Sequence, residues 1–365
     1  MLSSQNSLAL RNFSQMSSRT YRSALETVMR EALEESDSTA IIGQGVTDHK
    51  GTFGTTLGLH ERYPGRVIET PLAEDSIAGI CIGMALNGVY PINTHIRADF
   101  GLLVFNQLIN LAAKYKYMFG GLFEVPLMMR MVVGRSWGQG AQHSQSLQSL
   151  LSHIPGLTVV MPATPQSILS SYRYAIQEHR GPIVMLEHRL LYELEFDDDE
   201  TPPSHPIFGS RLDRVGSNVT VVATSIMVLE ARRAADYLAD FGISVEIIDL
   251  HSTSHYDKEL ILGSIRKTGK LLIADTSWAA YGVAAEINRL VAEEDPHLLS
   301  LPSVSVGMAP ATCPTAKSLE DLFYPDVRML VDEISKLHHG SHVHGNPLPD
   351  SQSMVDHYKH FKGPF

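Results

Sequence analysis

Residues 66–95 read RVIETPLAEDSIAGICIGMALNGVYPINTH, and this stretch decides the fold. Arg66-Val-Ile-Glu-Thr70 is a short β-prone run. Glu74 to Leu86 is a helix-length segment rich in Ala, Gly and Ile, and Tyr90 to His95 is a second strand pattern. A strand, a helix and a strand in thirty residues fit the alternation of a mostly parallel sheet covered on both faces.

The same alternation extends in both directions. Upstream, Ala24, Leu25, Val28, Met29, Ala32 and Leu33 recur at helical spacing, and Thr39 to Gly43 reads as a buried strand. Downstream, a long helix is expected over 100–117, a strand over 126–133 and a Gly-rich loop over 134–145. Strands at 157–161 and 183–186 flank a helix over 165–179. After an acidic and proline-rich break at 197–206, the pattern restarts. Strands are expected at 219–224, 245–250, 271–274 and 303–306, with helices at 226–240, 256–267, 283–291 and 319–337. The fold class that follows is α/β, with two three-layer α/β/α domains and mostly parallel sheets. The expected division is an extension over 1–19, a first domain over 20–195, a linker over 196–216, a second domain over 217–337 and a His-rich tail over 338–365.

Composition narrows the function classes. The 365 residues hold 29 Lys+Arg against 40 Asp+Glu, a net charge of −11, which disfavours a nucleic-acid groove. At 44% hydrophobic and 19% charged residues the chain suits a large core, and no apolar run approaches the ~18 residues of a spanning helix. Two cysteines, Cys81 and Cys313, cannot build a disulfide framework and suggest a reducing compartment. Residues 1–23 carry three arginines, seven serines and no acid. That pattern reads either as a disordered extension of a cytoplasmic protein or as a mitochondrial transit segment.

Several motifs are weak. Neither a Gly-x-Gly-x-x-Gly turn nor a phosphate-binding loop ending in Lys-Ser/Thr is present. Gly134-Arg-Ser-Trp-Gly138 has the form of a nucleophile elbow, but loop sequence follows it where a helix should start, so Ser136 reads as part of a flexible loop. The tail histidines (His338, His339, His342, His344, His357 and His360) lack the rigid surroundings that fix metal ligands.

Three successive strand ends carry unusual polar content. Thr70-Pro-Leu-Ala-Glu74 sets a carboxylate at a helix start, His95-Ile-Arg-Ala-Asp-Phe100 closes the next strand, and Ala141-Gln-His-Ser-Gln145 lies in the loop after the following one. Ligands gather at such strand ends in open parallel sheets. Glu74 also has a plain reading as a favourable charge at a helix N-terminus, worth ~0.3–1 kcal/mol, and His143 as a solvated loop histidine.

The order and spacing of Glu74, Phe100 and His143 resemble the beta subunit of the thiamine-diphosphate decarboxylase component of 2-oxo acid dehydrogenase complexes, a transketolase-like family. The likeness spans about residues 20–337. It rests on Arg66 to Glu74, Arg97-Ala-Asp-Phe100, Ala112-Ala-Lys-Tyr-Lys-Tyr117 with Gly120-Gly121, Gln142-His-Ser-Gln145, Pro155 to Val160 and Cys313 to Glu320. In the Ala98-Asp99 region the branched-chain and acetoin branches look closer than the pyruvate branch. The resemblance implies a transketolase-like pyrimidine-binding domain followed by a transketolase C-terminal domain. It implies that Glu74 meets a ring nitrogen of the thiamine aminopyrimidine, that Phe100 packs on that ring, that Leu72 offers backbone contact, and that His143 stands near the reacting carbon. Arg97 and Gln142 would lie close to the substrate, with Arg97 either an internal ion-pair partner or a contact for an anionic group.

The family's Mg²⁺-binding Gly-Asp-Gly segment is missing from this chain. The resemblance therefore implies an alpha subunit that supplies the Mg²⁺ ligands and the diphosphate half of the site, an α2β2 assembly with a second beta chain, and a lipoyl acyltransferase core as a possible further partner. It implies neither a nucleic-acid nor a membrane partner. The implied reaction is decarboxylation of a 2-oxo acid with acyl transfer; a carboligase and a non-catalytic assembly subunit are the competing readings. The chain departs from the family at Gln44, where an acid is usual, at Arg97, where the branched-chain pattern has an aromatic, and at Leu250-His-Ser-Thr253, where Arg usually follows Leu. These departures point to a specialised relative.

Overall fold

The computed structural model describes residues 18–135, 138–197, 205–342 and 348–350. Its strands run β1 (Ser18–Thr20), β2 (Thr39–Gly43), β3 (Val67–Glu69), β4 (Tyr90–His95), β5 (Leu127–Val133), β6 (Thr158–Val160), β7 (Pro182–His188), β8 (Glu195–Asp197), β9 (Arg211–Arg214), β10 (Val219–Ala223), β11 (Val245–Asp249), β12 (Leu271–Trp278) and β13 (Val304–Met308). A six-stranded sheet has the order β3-β2-β4-β5-β7-β6, and all its pairings are parallel. A five-stranded sheet has the order β13-β12-β10-β11-β9, antiparallel only between β11 and β9. Helices cover both sheets, so the two α/β/α layer sets expected from the alternation are present.

Local chemistry explains the element ends. Thr20 caps helix Tyr21–Glu35 by accepting from the Ser23 N–H at 3.1 Å, and the expected face of Ala24, Leu25, Val28, Met29, Ala32 and Leu33 is buried. Thr164 and Ser167 form a reciprocal capping box ahead of Pro165, where helix Pro165–Gln177 begins. Helix Glu74–Leu86 keeps the expected bounds. β2 ends on Gly43, whose missing side chain lets Thr94 of β4 approach; a Cβ there would fall 2.2 Å from the Thr94 carbonyl oxygen.

Four features differ from the sequence pattern. The helix expected over 100–117 is a 3₁₀ segment (Phe100–Val104), a π-helix (Asn106–Ala112) and an α-helix (Ala113–Met118). The helix expected over 319–337 is split into Lys317–Glu320 and Val327–His339; Pro325 between them disfavours helical geometry for the residue before it. Residues 195–197 pair with Ser18–Thr20 as a small antiparallel ribbon. Within the stretch expected as a linker, Arg211–Arg214 forms the edge strand of the second sheet.

The two sheets are joined directly. The Met161 N–H donates to the His251 carbonyl at 2.8 Å and the Thr253 N–H to the Val159 carbonyl at 3.1 Å. Gln148 Nε2 donates to the buried Asp275 carboxylate at 2.7 Å. Among the described residues no helix is long and apolar enough to cross a membrane. Ser136, His344, His357 and His360 lie outside the described residues.

Candidate active site

The strand ends of the first sheet meet at one polar edge. β3 leads through Thr70 to Ala73 into helix Glu74–Leu86, and its first residue, Glu74, is 9% exposed. Gln44, in the turn after β2, donates from Nε2 to Glu74 Oε1 at 3.1 Å. Glu69 fixes that turn by accepting from the Gly45 and Thr47 N–H groups at 2.6 and 3.0 Å. Glu74 forms no salt bridge with a described Lys or Arg. Its charge rests on the Gln44 amide and the helix N-terminus.

β4 supplies the next layer. Asn93 Nδ2 donates to the Ile42 carbonyl at 3.1 Å, and Asn93 Oδ1 lies 2.9 Å from His95 Nε2, which acts as donor in that pair. Burial pushes the His95 imidazole down to about 4, against an opposing pull from the nearby Glu74. A neutral imidazole thus lies near the Glu74 carboxylate.

Arg97 turns inward. It is 2% exposed and donates from Nη1 to the Gly134 carbonyl at 2.6 Å. Burial and the Arg189 charge lower its pKa to about 10. This bond turns the guanidinium toward the backbone of the Gly-rich loop. Asp99 accepts from the Gln145 N–H at 3.2 Å and from Gln145 Nε2 at 3.0 Å. Phe100 and His143 meet edge to face, with ring centroids 5.4 Å apart at 87°.

The structure therefore couples Phe100 with His143, and Glu74 with Gln44 and the His95 layer. Glu74 and His143 share no hydrogen bond. Leu72 is 82% exposed, and Gln142 is exposed as well. Sequence reasoning took Gln44 for a departure and missed it as the hydrogen-bond partner of Glu74. It also missed the Asn93–His95 pair, although side chains two apart on one strand face the same way. Among the described residues no group of three His, Cys, Asp or Glu could hold a metal ion. A cleft of about 830 Å³ lined by Ser149, His153, Ser254, Tyr281 and Arg289 lies elsewhere, between helix Gln148–Ser152 and the second sheet. The Glu74 edge is an open face with a buried acid, an exposed leucine and a half-buried phenylalanine.

A pH dependence follows from the buried imidazoles. His251, like His95, is held down to about 4 by burial. The unfolded chain titrates near the ordinary value of ~6.5 and binds protons that the folded chain refuses. This contribution to stability is full above about pH 6.5 and is lost as pH falls toward 4. The urea midpoint is expected to drop between pH 7 and pH 5, and His251→Gln should make that drop smaller. An unchanged slope in the variant would contradict this.

Residues 17–195 match the transketolase pyrimidine-binding domain family, and residues 209–330 match the transketolase C-terminal domain family. The pyruvate dehydrogenase E1 component subunit beta of Rickettsia conorii is 34% identical over 319 residues, covering 87% of this chain and 98% of that one. Its mitochondrial counterpart from Bos taurus is 35% identical over 323 residues, covering 87% and 90%. The beta subunit of acetoin:2,6-dichlorophenolindophenol oxidoreductase from Cupriavidus necator is 36% identical over 280 residues, covering 77% and 82%. A solved split-gene transketolase, described as an inactive beta4 tetramer, superposes with a TM-score of 0.71 at 22% identity, covering 87% of this chain and 97% of that one, a likeness of fold. The chain belongs to the family of E1 beta subunits of 2-oxo acid dehydrogenase type, built from a transketolase pyrimidine-binding domain and a transketolase C-terminal domain.

Proposed function

We propose that this chain is the beta half of a heteromeric thiamine-diphosphate enzyme that decarboxylates a 2-oxo acid and passes the acyl unit on, with a lipoyl carrier as acceptor. The observation that carries the reading is the open edge itself. A 9%-exposed carboxylate at a helix start with no cationic partner among the described residues is matched to a nitrogen heterocycle that can share a proton with it. The exposed Leu72 and the half-buried Phe100 suit the edge and face of a flat ring. Bound at this edge, thiamine diphosphate would supply the carbanion that attacks the keto carbon.

The chain's own residues have separate tasks. Glu74 Oε1 is oriented by the Gln44 amide, which leaves Oε2 to hold the proton-sharing contact. His95, neutral and bonded to Asn93, lies near it without adding a competing cation. Phe100 excludes water from one side and packs at right angles to the His143 ring. His143 is placed to hold or release a proton at an imidazole nitrogen, or to orient the substrate carboxylate. The diphosphate and Mg²⁺ contacts belong to an alpha subunit. Two beta chains pair in the assembly, where obligate interfaces bury ~2,000 Å² or more.

The test is reconstitution. The purified chain should show no 2-oxo acid decarboxylation with thiamine diphosphate and Mg²⁺, and co-expression with the matching alpha chain should restore it. Robust turnover by the single chain would overturn the proposal.

A further inference from the structure

The loop that carries His143 has two walls, and one of them belongs to the second half of the chain. On the first wall, Asp99 holds Gln145 by its backbone and its side chain, and Phe100 packs on the imidazole. The second wall is the segment 313–324. Arg135, at the start of the loop, pairs with Asp321 at 3.4 Å, and its guanidinium carbon sits 4.9 Å from the Tyr324 ring centroid. Ser144, 2% exposed and next to His143, lies beside the Tyr324 hydroxyl. Thr315 packs on Gly140: a Cβ on that glycine would stand 2.6 Å from Thr315 Oγ1. Gly140 in turn accepts from the His143 N–H at 3.4 Å.

The loop needs such walls. Gly138 and Gly140 adopt φ of 60° and 65°, so this stretch has neither helix nor strand bonding to keep it in one shape. A proton-transferring imidazole must be held to within about 0.5 Å of its working position. We propose that the 313–324 segment of the second domain, through Tyr324, Asp321 and Thr315, is a positioning element for His143. The second domain would then contribute to the active edge of the first as well as to assembly. This inference rests on the role proposed for His143. It concerns positioning residues, since none of the three touches the reacting groups.

The test uses Tyr324→Leu, which removes the ring beneath Arg135, and Tyr324→Phe, which keeps it. Hydrogen exchange on the full chain reads the clamp without reference to activity. Backbone amides of residues 138–146 should exchange at least ~10-fold faster in Tyr324→Leu, while those of β12 keep the wild-type rate and Tyr324→Phe behaves as wild type. In the complex reconstituted with the alpha chain, kcat should fall about 10-fold in Tyr324→Leu with KM and cofactor affinity within about two-fold, because misplacement by 1 Å costs up to ~10²-fold. Unchanged loop exchange overturns the proposal. So does exchange that quickens equally in β12, which would mean general destabilisation, and so does a wild-type kcat. If the wild-type complex has no decarboxylase turnover, the functional reading fails, and the exchange comparison still decides whether the second domain holds the loop.

Discussion

Glu74→Gln is expected to lower turnover of the reconstituted complex by about 10²–10⁴, the usual worth of a positioned acid–base group. The substitution keeps the size of the side chain and an oxygen acceptor for Gln44 Nε2, so the hydrogen bond now at 3.1 Å can persist. What is lost is the charge that stabilises a protonated ring nitrogen. Cofactor affinity should change far less, because on the proposed reading the diphosphate contacts lie in an alpha subunit. Stability should change by no more than about 1 kcal/mol, the ordinary worth of a charge at a helix N-terminus. The comparison is turnover and cofactor affinity of wild type beside mutant. A mutant with more than about half the wild-type turnover would leave Glu74 as a capping charge, and the proposed role would be withdrawn.

The second large effect is on folding. Six of the seven residues of β5 are apolar, yet it carries Arg130 at 0% exposure. Arg130 grips Glu187 of β7 through Nε at 2.5 Å and Nη2 at 2.8 Å, and donates from Nη1 to Thr55 Oγ1 at 2.8 Å. The hydroxyls of Tyr172 and Tyr192 donate to the same carboxylate. Burial and the Glu187 charge both raise the Tyr172 phenol, so the tyrosines stay as donors. Glu187→Gln leaves the guanidinium buried without a counter-charge and should destabilise the chain by about 3–5 kcal/mol. The double variant Arg130→Met/Glu187→Met should recover only part, since both phenols then lose their acceptor. Urea unfolding followed by a probe in the first domain checks this. A loss below about 1 kcal/mol for Glu187→Gln would contradict it.

Arg130 and Glu187 also show where sequence reading stops. Their strands were legible because six of seven residues in β5 are apolar, but nothing local says that two buried charges 57 positions apart will meet. Helix Glu74–Leu86 was legible in full, since an acid start, small apolar residues and Asn87-Gly88 at its end act within a few positions. The helix after Phe100 was legible as helical but not as 3₁₀ and π-helix, geometry that tertiary packing imposes. β1 and β8 are three residues each and pair antiparallel, with Arg19 opposite Phe196 177 positions on, too short for periodicity to signal. At the site, the family motif marked Glu74, Phe100 and His143. The supports around them (Gln44, Asn93 with His95, and Asp99 with Gln145) depend on which strand ends are neighbours, which only the sheet order reveals. His251, read as a departure from the family, is fully buried and bonded to the Pro206 carbonyl at 2.8 Å, so its place is at the junction of the two halves.

The central claim is that this chain holds only the pyrimidine side of a shared cofactor site. Calorimetric titration of thiamine diphosphate with Mg²⁺ measures this directly, first into the purified chain and then into its complex with the matching alpha chain. The account predicts no saturable binding to the single chain up to about 1 mM, where the free energy would be only ~4 kcal/mol, and binding at about 1 μM or tighter in the complex. Micromolar binding by the single chain would contradict it.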